Sequence, residues 1–262
     1  VSQRIDKLLV NRYITPEEFA VYSLAFFSIP LVDQAFASIN NVVTPKIASL
    51  LKENKTEETV TLYRQVVGKT SSIAFPSILY FTVMAPELLT FLFTEDYVTA
   101  TPFYRIYLLM FIFTMTSYGI VLRAAGRTKW IMISNFIGMA LTAGLGFIII
   151  PEFALWGAIG TAMCGIATPI LLQLHFERKV LQVNMLNHMP WSVIFKGSLA
   201  SAICIVPVLL IRAVVLPPFV SLALTASVFF PLIGLLEWKL GIFAFEKQVR
   251  PLLEKYFPAN NS

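Results

Sequence analysis

Charge is what this sequence has least of. Asp, Glu, Lys and Arg together make up 13% of the 262 residues, while 57% are hydrophobic. A soluble domain of this length needs a much larger charged share to cover its surface, so that class is excluded. Cysteine is nearly absent. Cys164 and Cys204 both fall inside apolar runs, which excludes a disulfide framework and a zinc site. The two histidines, His175 and His188, sit at or beyond the ends of such runs and read as interfacial surface residues. No G-x-G-x-x-G follows a strand and no P-loop is present, so nothing points to a nucleotide. No basic stripe is interleaved with aromatics, so the net charge of +5 does not mark a nucleic-acid binder. The alternating pattern of a membrane barrel is missing. So are an N-terminal signal-peptide pattern and any aspartate-rich prenyl-diphosphate motif.

What is present is a series of long uncharged runs separated by short charged clusters. A hydrocarbon core about 30 Å thick needs about 20 apolar residues per helix, and the chain offers that length repeatedly. Seven complete spans can be drawn, over about 19–45, 67–91, 102–122, 130–150, 153–174, 193–216 and 219–236. All must be helices, because lipid satisfies no backbone group. The expected fold is therefore all-α, a polytopic transmembrane bundle. Pro30, Pro76, Pro169, Pro207 and Pro231 fall within spans and are expected to kink them. Gly157, Thr161 and Gly165 recur at four-residue spacing, which suits close helix packing. The first residues, VSQRIDKLLVNRYIT, read as the end of a helix whose beginning lies upstream, so the chain is expected to be the C-terminal part of a longer protein.

Cation placement sets the orientation. Fifteen of the twenty Lys and Arg residues fall on one side of these spans. The other side holds only Arg4, Lys7, Arg12, Arg105 and Arg212. The positive-inside rule assigns the richer side to the cytoplasm. The loops at 16–18, 94–96 and 151–153 are then external, short and acidic. The last stretch, 241–262, mixes Phe and Leu with Lys and Arg, as a tail lying on the cytoplasmic leaflet would.

One residue breaks the apolar pattern. Asp33 lies in the middle of the 19–45 run, about 20 Å from either end of a continuous helix. An Asp at a helix centre costs about 2.5 to 3.5 kcal/mol to insert. Gln34, Ser38, Asn40, Asn41 and Thr44 extend a polar stripe from it towards the cytoplasmic end. Such a stripe should face a water-filled cavity or the bundle interior, with Asp33 taking up a proton or coupling cation. A packing hydrogen bond to a neighbouring helix is the competing reading. Arg105, about one turn inside its span, either snorkels to the interface or meets an anion in the cavity. Arg4 and Lys7 share a helix face and form a cationic patch at the external mouth, or pair with Asp6.

Taken in order, these segments resemble the C-terminal half of the multidrug/oligosaccharidyl-lipid/polysaccharide exporter superfamily, and within it the polysaccharide flippases. RIDKLLVNRYITPEEFAVYSLAF looks like the family's seventh span with its loop. NNVVTPKIASLLKENK resembles the end of the eighth, and APELLTFLFTEDYVTATPFYRIYLL the ninth-to-tenth connection. LRAAGRTKW looks like the turn before the eleventh span, and IPEFALWGAIGTAMCGIATPI is similar to the twelfth. One departure is the absence of the Gly usually found just before Tyr22, where this chain has Phe19, Ala20 and Val21.

The resemblance divides the chain into a truncated helix with its external loop (1–15), a C-terminal transporter lobe of five spans (16–180), two additional spans (181–240) and a cytoplasmic tail (241–262). It implies a transporter in the cytoplasmic membrane that flips undecaprenyl-pyrophosphate-linked oligosaccharide by alternating access. That reading makes Asp33, Gln34, Asn40 and Asn41 cavity or coupling residues, and Arg4, Lys7 and Arg105 contacts for the substrate anion. It implies coupling to H+ or Na+, contact with membrane lipids, and glycan polymerases or glycosyltransferases as partners. No cofactor, metal or nucleic acid is called for, and no bond is broken, so the protein is not expected to be an enzyme. A multidrug and toxin extrusion antiporter for organic cations is the alternative. A membrane glycosyltransferase or polymerase fits less well, because such enzymes need a long external loop or an acid cluster.

Overall fold

The computed structural model describes Lys7 and residues 10–114, 116, 118–184 and 189–242. Among these residues the fold is all-α. After Lys7 and a helical turn at residues 10–13 come α1 (Pro16–Ala25), α2 (Pro30–Lys52), α3 (Thr56–Val83) and α4 (Ala85–Leu92). A 3-10 turn (Glu95–Ala100) leads into α5 (Thr101–Thr114) and α6 (Ile120–Ala124). The chain ends in α7 (Thr128–Leu181), α8 (Trp191–Arg212) and α9 (Pro218–Lys239). Helices α3, α7, α8 and α9 are long and apolar enough to cross a membrane. Arg4, His188 and the 243–262 part of the amphipathic tail lie outside the described residues.

Three expected spans differ in form. The 19–45 run is two helices with a break at 26–29. Pro30 disfavours helical geometry at the residue before it, and Ile29 is extended (φ −95°, ψ 103°). Pro30 therefore starts α2 and does not kink a longer helix. Asp33 lies in the first turn of α2, not at a helix centre. The 102–122 run is also broken, between α5 and α6, with Gly119 left-handed at φ 79°. Helix α3 starts at Thr56, well before residue 67, and stops at Met84 because Pro86 opens α4.

The fourth and fifth spans are the two arms of α7, which reverses at Ala154 (φ 44°, ψ −123°). Small residues let the arms close on one another. A Cβ on Gly138 would meet the Gly165 carbonyl at 2.8 Å, and one on Gly157 would meet the Ile149 carbonyl at 2.7 Å. Gly157 and Gly165 are thus close-packing positions, and Thr161 is buried beside them. Pro76, Pro169, Pro207 and Pro231 lie inside α3, α7, α8 and α9.

Helix α3 is central and packs against α2, α5 and α8. On one flank Ile29, just before α2, and Val32 and Phe36 of α2 bury against Ala74 and Ile78 of α3 and Leu108 of α5. On the other, Tyr80 of α3 stacks on Phe229 of α9, and its hydroxyl donates to the Leu222 carbonyl at 2.9 Å. Helix ends alternate in two layers. One end gathers Ile47, Tyr63, Val121 and Leu181. The opposite end holds the Arg212–Glu87 ion pair at 2.6 Å and the Phe103–Trp156 contact. This is the up-and-down threading of a multi-pass membrane protein.

Candidate functional site

Both helix breaks open onto one cavity of about 250 Å³. Phe26, in the break after α1, packs edge-on to Tyr107 of α5 at 5.1 Å between ring centres. Tyr118, in the break between α5 and α6, supplies another aromatic wall. The first arm of α7 contributes Asn135 and Thr142, and the second contributes Gly165 and Pro169. Pro169 lacks an N–H for the carbonyl of Gly165, and Gly138 approaches that carbonyl instead. Among the described residues that line the cavity, Lys7 is the one with a charged side chain.

The polar stripe of α2 contributes no side chain to this lining. Asp33, Gln34, Ser38 and Asn41 are all exposed, while Val32, Phe36 and Ile47 on the inner face are buried. Helical spacing thus turns one face of α2 into the protein and leaves the polar face uncovered. Asp33 is within electrostatic reach of Tyr107, one of the lining residues, and is not itself in the lining. The break explains how a carboxylate is accommodated within this apolar run. As part of the first turn of α2 it meets the positive end of a helix dipole, worth about 0.3–1 kcal/mol. Asn40 departs from the stripe. It is half-buried, and its side-chain oxygen is buried without a hydrogen-bond partner among the described residues.

The cationic candidates separate. Lys7 lines the cavity. Arg105 does not, since its Nε donates to the Thr82 carbonyl at 2.9 Å, and it thereby satisfies one of the orphan carbonyls ending α3. Arg4 lies outside the described residues.

The backbone freed by the α5–α6 break is satisfied from three directions, as non-helical backbone at membrane depth requires. The Tyr63 hydroxyl of α3 donates to the Thr116 carbonyl at 2.6 Å. The Val121 amide donates to Glu177 Oε1 of α7 at 2.9 Å. Arg123 Nε donates to the Gly119 carbonyl at 3.2 Å. Gln173, one turn before Glu177, lies against Gly119, and its amide reaches Asn135 Oδ1 at 3.4 Å. Sequence reasoning missed Tyr107, Tyr118, Asn135, Gln173 and Glu177. The four-residue recurrence of Gly165, Pro169, Gln173 and Glu177 on one helix face was the available signal. Ending the fifth span at Leu174 hid it.

No curated protein and no solved structure matches this chain. Residues 1–102 match the model of a family described as polysaccharide biosynthesis protein. That stretch contains Lys7, the break at Phe26 and the whole α2 stripe. Arg105, Tyr107 and α6 to α9 fall beyond it. Over its first 102 residues this multi-pass membrane chain is similar to polysaccharide biosynthesis proteins.

Proposed function

We propose that the chain is a transporter, or the part of one, that carries undecaprenyl-pyrophosphate-linked oligosaccharide across the cytoplasmic membrane by alternating access. The observation that carries this reading is the make-up of the polar surface. Helix α2 leaves Asp33, Gln34, Ser38 and Asn41 uncovered, and Asp33 is within electrostatic reach of Tyr107 in a cavity also lined by Lys7, Tyr118, Asn135 and Thr142. Hydrocarbon cannot solvate such a face, so it belongs against water or a polar passenger. Aromatic rings and amide or hydroxyl groups suit a sugar headgroup. The lysine among the described lining residues suits a pyrophosphate. The family likeness of residues 1–102 supports a polysaccharide-related substrate. Fifteen of the twenty cations on one side orient that side to the cytoplasm.

Alternating access then amounts to rearrangement at the two breaks, where backbone bonds are fewest. No covalent chemistry is needed, so no catalytic group is assigned. The cation-antiporter reading is kept for one reason, which is that the Asp33 carboxyl is within electrostatic reach of the lining residue Tyr107.

The test is reconstitution of the full-length protein into vesicles with a fluorescent lipid-linked oligosaccharide, scored by reductant quenching of the outer leaflet. Transbilayer movement that falls at least tenfold in Lys7→Gln supports the reading. Absence of movement, together with proton-driven ethidium uptake abolished by Asp33→Asn, overturns it in favour of the antiporter.

A further inference from the structure

We propose that Glu177 is a proton-binding site that latches the broken pair α5–α6, and that loading this site closes the Tyr118 wall of the cavity. The inference rests on the transport reading for its purpose, though its geometry stands independently.

The Glu177 side chain is fully buried (0% exposed) at the first amides of α6. Oε1 accepts from the Val121 amide at 2.9 Å, and the amides of Gly119 and Leu122 act on the same carboxyl. Oε2 is buried and has no hydrogen-bond partner among the described residues. A bare carboxylate oxygen in dry surroundings is costly, whereas a carboxylic acid carries its proton there and still accepts at Oε1.

The groups facing Glu177 do not neutralise it by pairing. Tyr63 from α3 spends its hydroxyl on the Thr116 carbonyl. Arg123 from α6 is within electrostatic reach, but its side chain is exposed and its Nε is on the Gly119 carbonyl. Helices α2 and α8 contribute the apolar Ile47 and Ile194 to the cluster that holds Val121, whose amide donates to Glu177. On α7 itself Gln173 lies one turn back, and Arg178 and Lys179 follow in sequence. Among the described residues no ion pair includes Glu177.

The latch touches the cavity at two points. Tyr118 belongs to the break that Glu177 holds, and it lines the cavity. Gln173, packed on Gly119, holds Asn135, another lining residue. When the break opens, water reaches the carboxyl, which releases its proton to that water. The carboxylate left behind is hydrated and no longer fits the dry latch. Reclosing takes one proton back from water, so one proton is exchanged per opening and closing.

The experiment uses the full-length protein in liposomes without substrate, so a failed flippase assay does not bear on it. Cys164 and Cys204 are replaced by serine, Tyr118 by cysteine as reporter, and, in a separate protein, Lys129 by cysteine as an exposed reference. Maleimide labelling is followed from pH 5 to 9, and the Tyr118→Cys rate is divided by the reference rate. That ratio should rise at least fivefold with pH, and Glu177→Gln should hold it flat at its low-pH value. A parent ratio that stays flat overturns the proposal, as does an unchanged rise in Glu177→Gln. Should Glu177→Gln fail to insert, Glu177→Asp compared with the parent decides: a rise of the same size with a displaced midpoint supports the site, and an undisplaced midpoint overturns it.

Discussion

Gly119 shows how much one residue carries in this protein. Its φ of 79° is left-handed, and a Cβ there would lie 2.5 Å from Gln173 Oε1, a side chain that is itself 3% exposed. Gly119→Ala therefore adds backbone strain to a contact with little room to yield. It should destabilise the fold by about 1–3 kcal/mol, read as a lowered unfolding midpoint in detergent. Asp33 behaves in the opposite way. It is exposed and lacks a packing role, so Asp33→Asn should cost less than about 1 kcal/mol, the scale of its helix-dipole interaction. If Asp33 serves the cavity, that same variant should alter transport while its thermal midpoint barely moves. The sequence made Asp33 conspicuous because a carboxylate in an apolar run stands out by composition. Glu177 escaped notice because it lies within two residues of Arg178 and Lys179, and composition alone cannot distinguish a buried latch from an interfacial charge cluster.

Among elements, the regular helices were legible and the breaks were not. Helices α8 and α9 match the spans drawn at 193–216 and 219–236 within a few residues, because an uninterrupted apolar run bounded by proline or charge leaves little choice. The break at 26–29 and the one between α5 and α6 fall inside apolar runs, where hydropathy is blind to φ and ψ. Close approach within α7 should be intolerant of bulk. Gly138→Val would drive methyls into the Gly165 carbonyl and Pro169, and should cost about 1–3 kcal/mol of overpacking while slowing labelling of the cavity wall. The joint between α4 and α8 is the half-buried Arg212–Glu87 pair. Its partial exposure limits its worth, so a double-mutant cycle of Arg212→Gln and Glu87→Gln should return a coupling of about 1 kcal/mol. In the α2–α3 turn, the hydrogen bond from Lys55, with a second from Ser49, holds the Glu53 carboxyl below the usual carboxylate range. The favourable contribution is present at neutral pH and is lost as pH falls through that lowered value. The pair is solvent-exposed, so salt should erase the effect.

At the scale of the whole molecule, the alternation of helix ends makes a topological prediction. Asn54→Cys and Gly126→Cys should label from one side of the membrane, and Asp96→Cys and Phe153→Cys from the other, with the first pair cytoplasmic. A membrane-impermeant maleimide applied to intact cells checks this, since Asp96→Cys should react and Asn54→Cys should not. The reversal of α7 at Ala154 bears on how the chain is made. Its two arms are joined without a free loop and close on each other through Gly138, Gly157 and Gly165. During synthesis the first arm cannot settle into the bilayer independently and wait for the second, because only a short turn is translocated between them. The pair must enter from the insertion machinery as a preassembled hairpin. A charge placed in either arm should therefore expel both together, and the chain would lose two crossings at once while every later segment keeps its orientation.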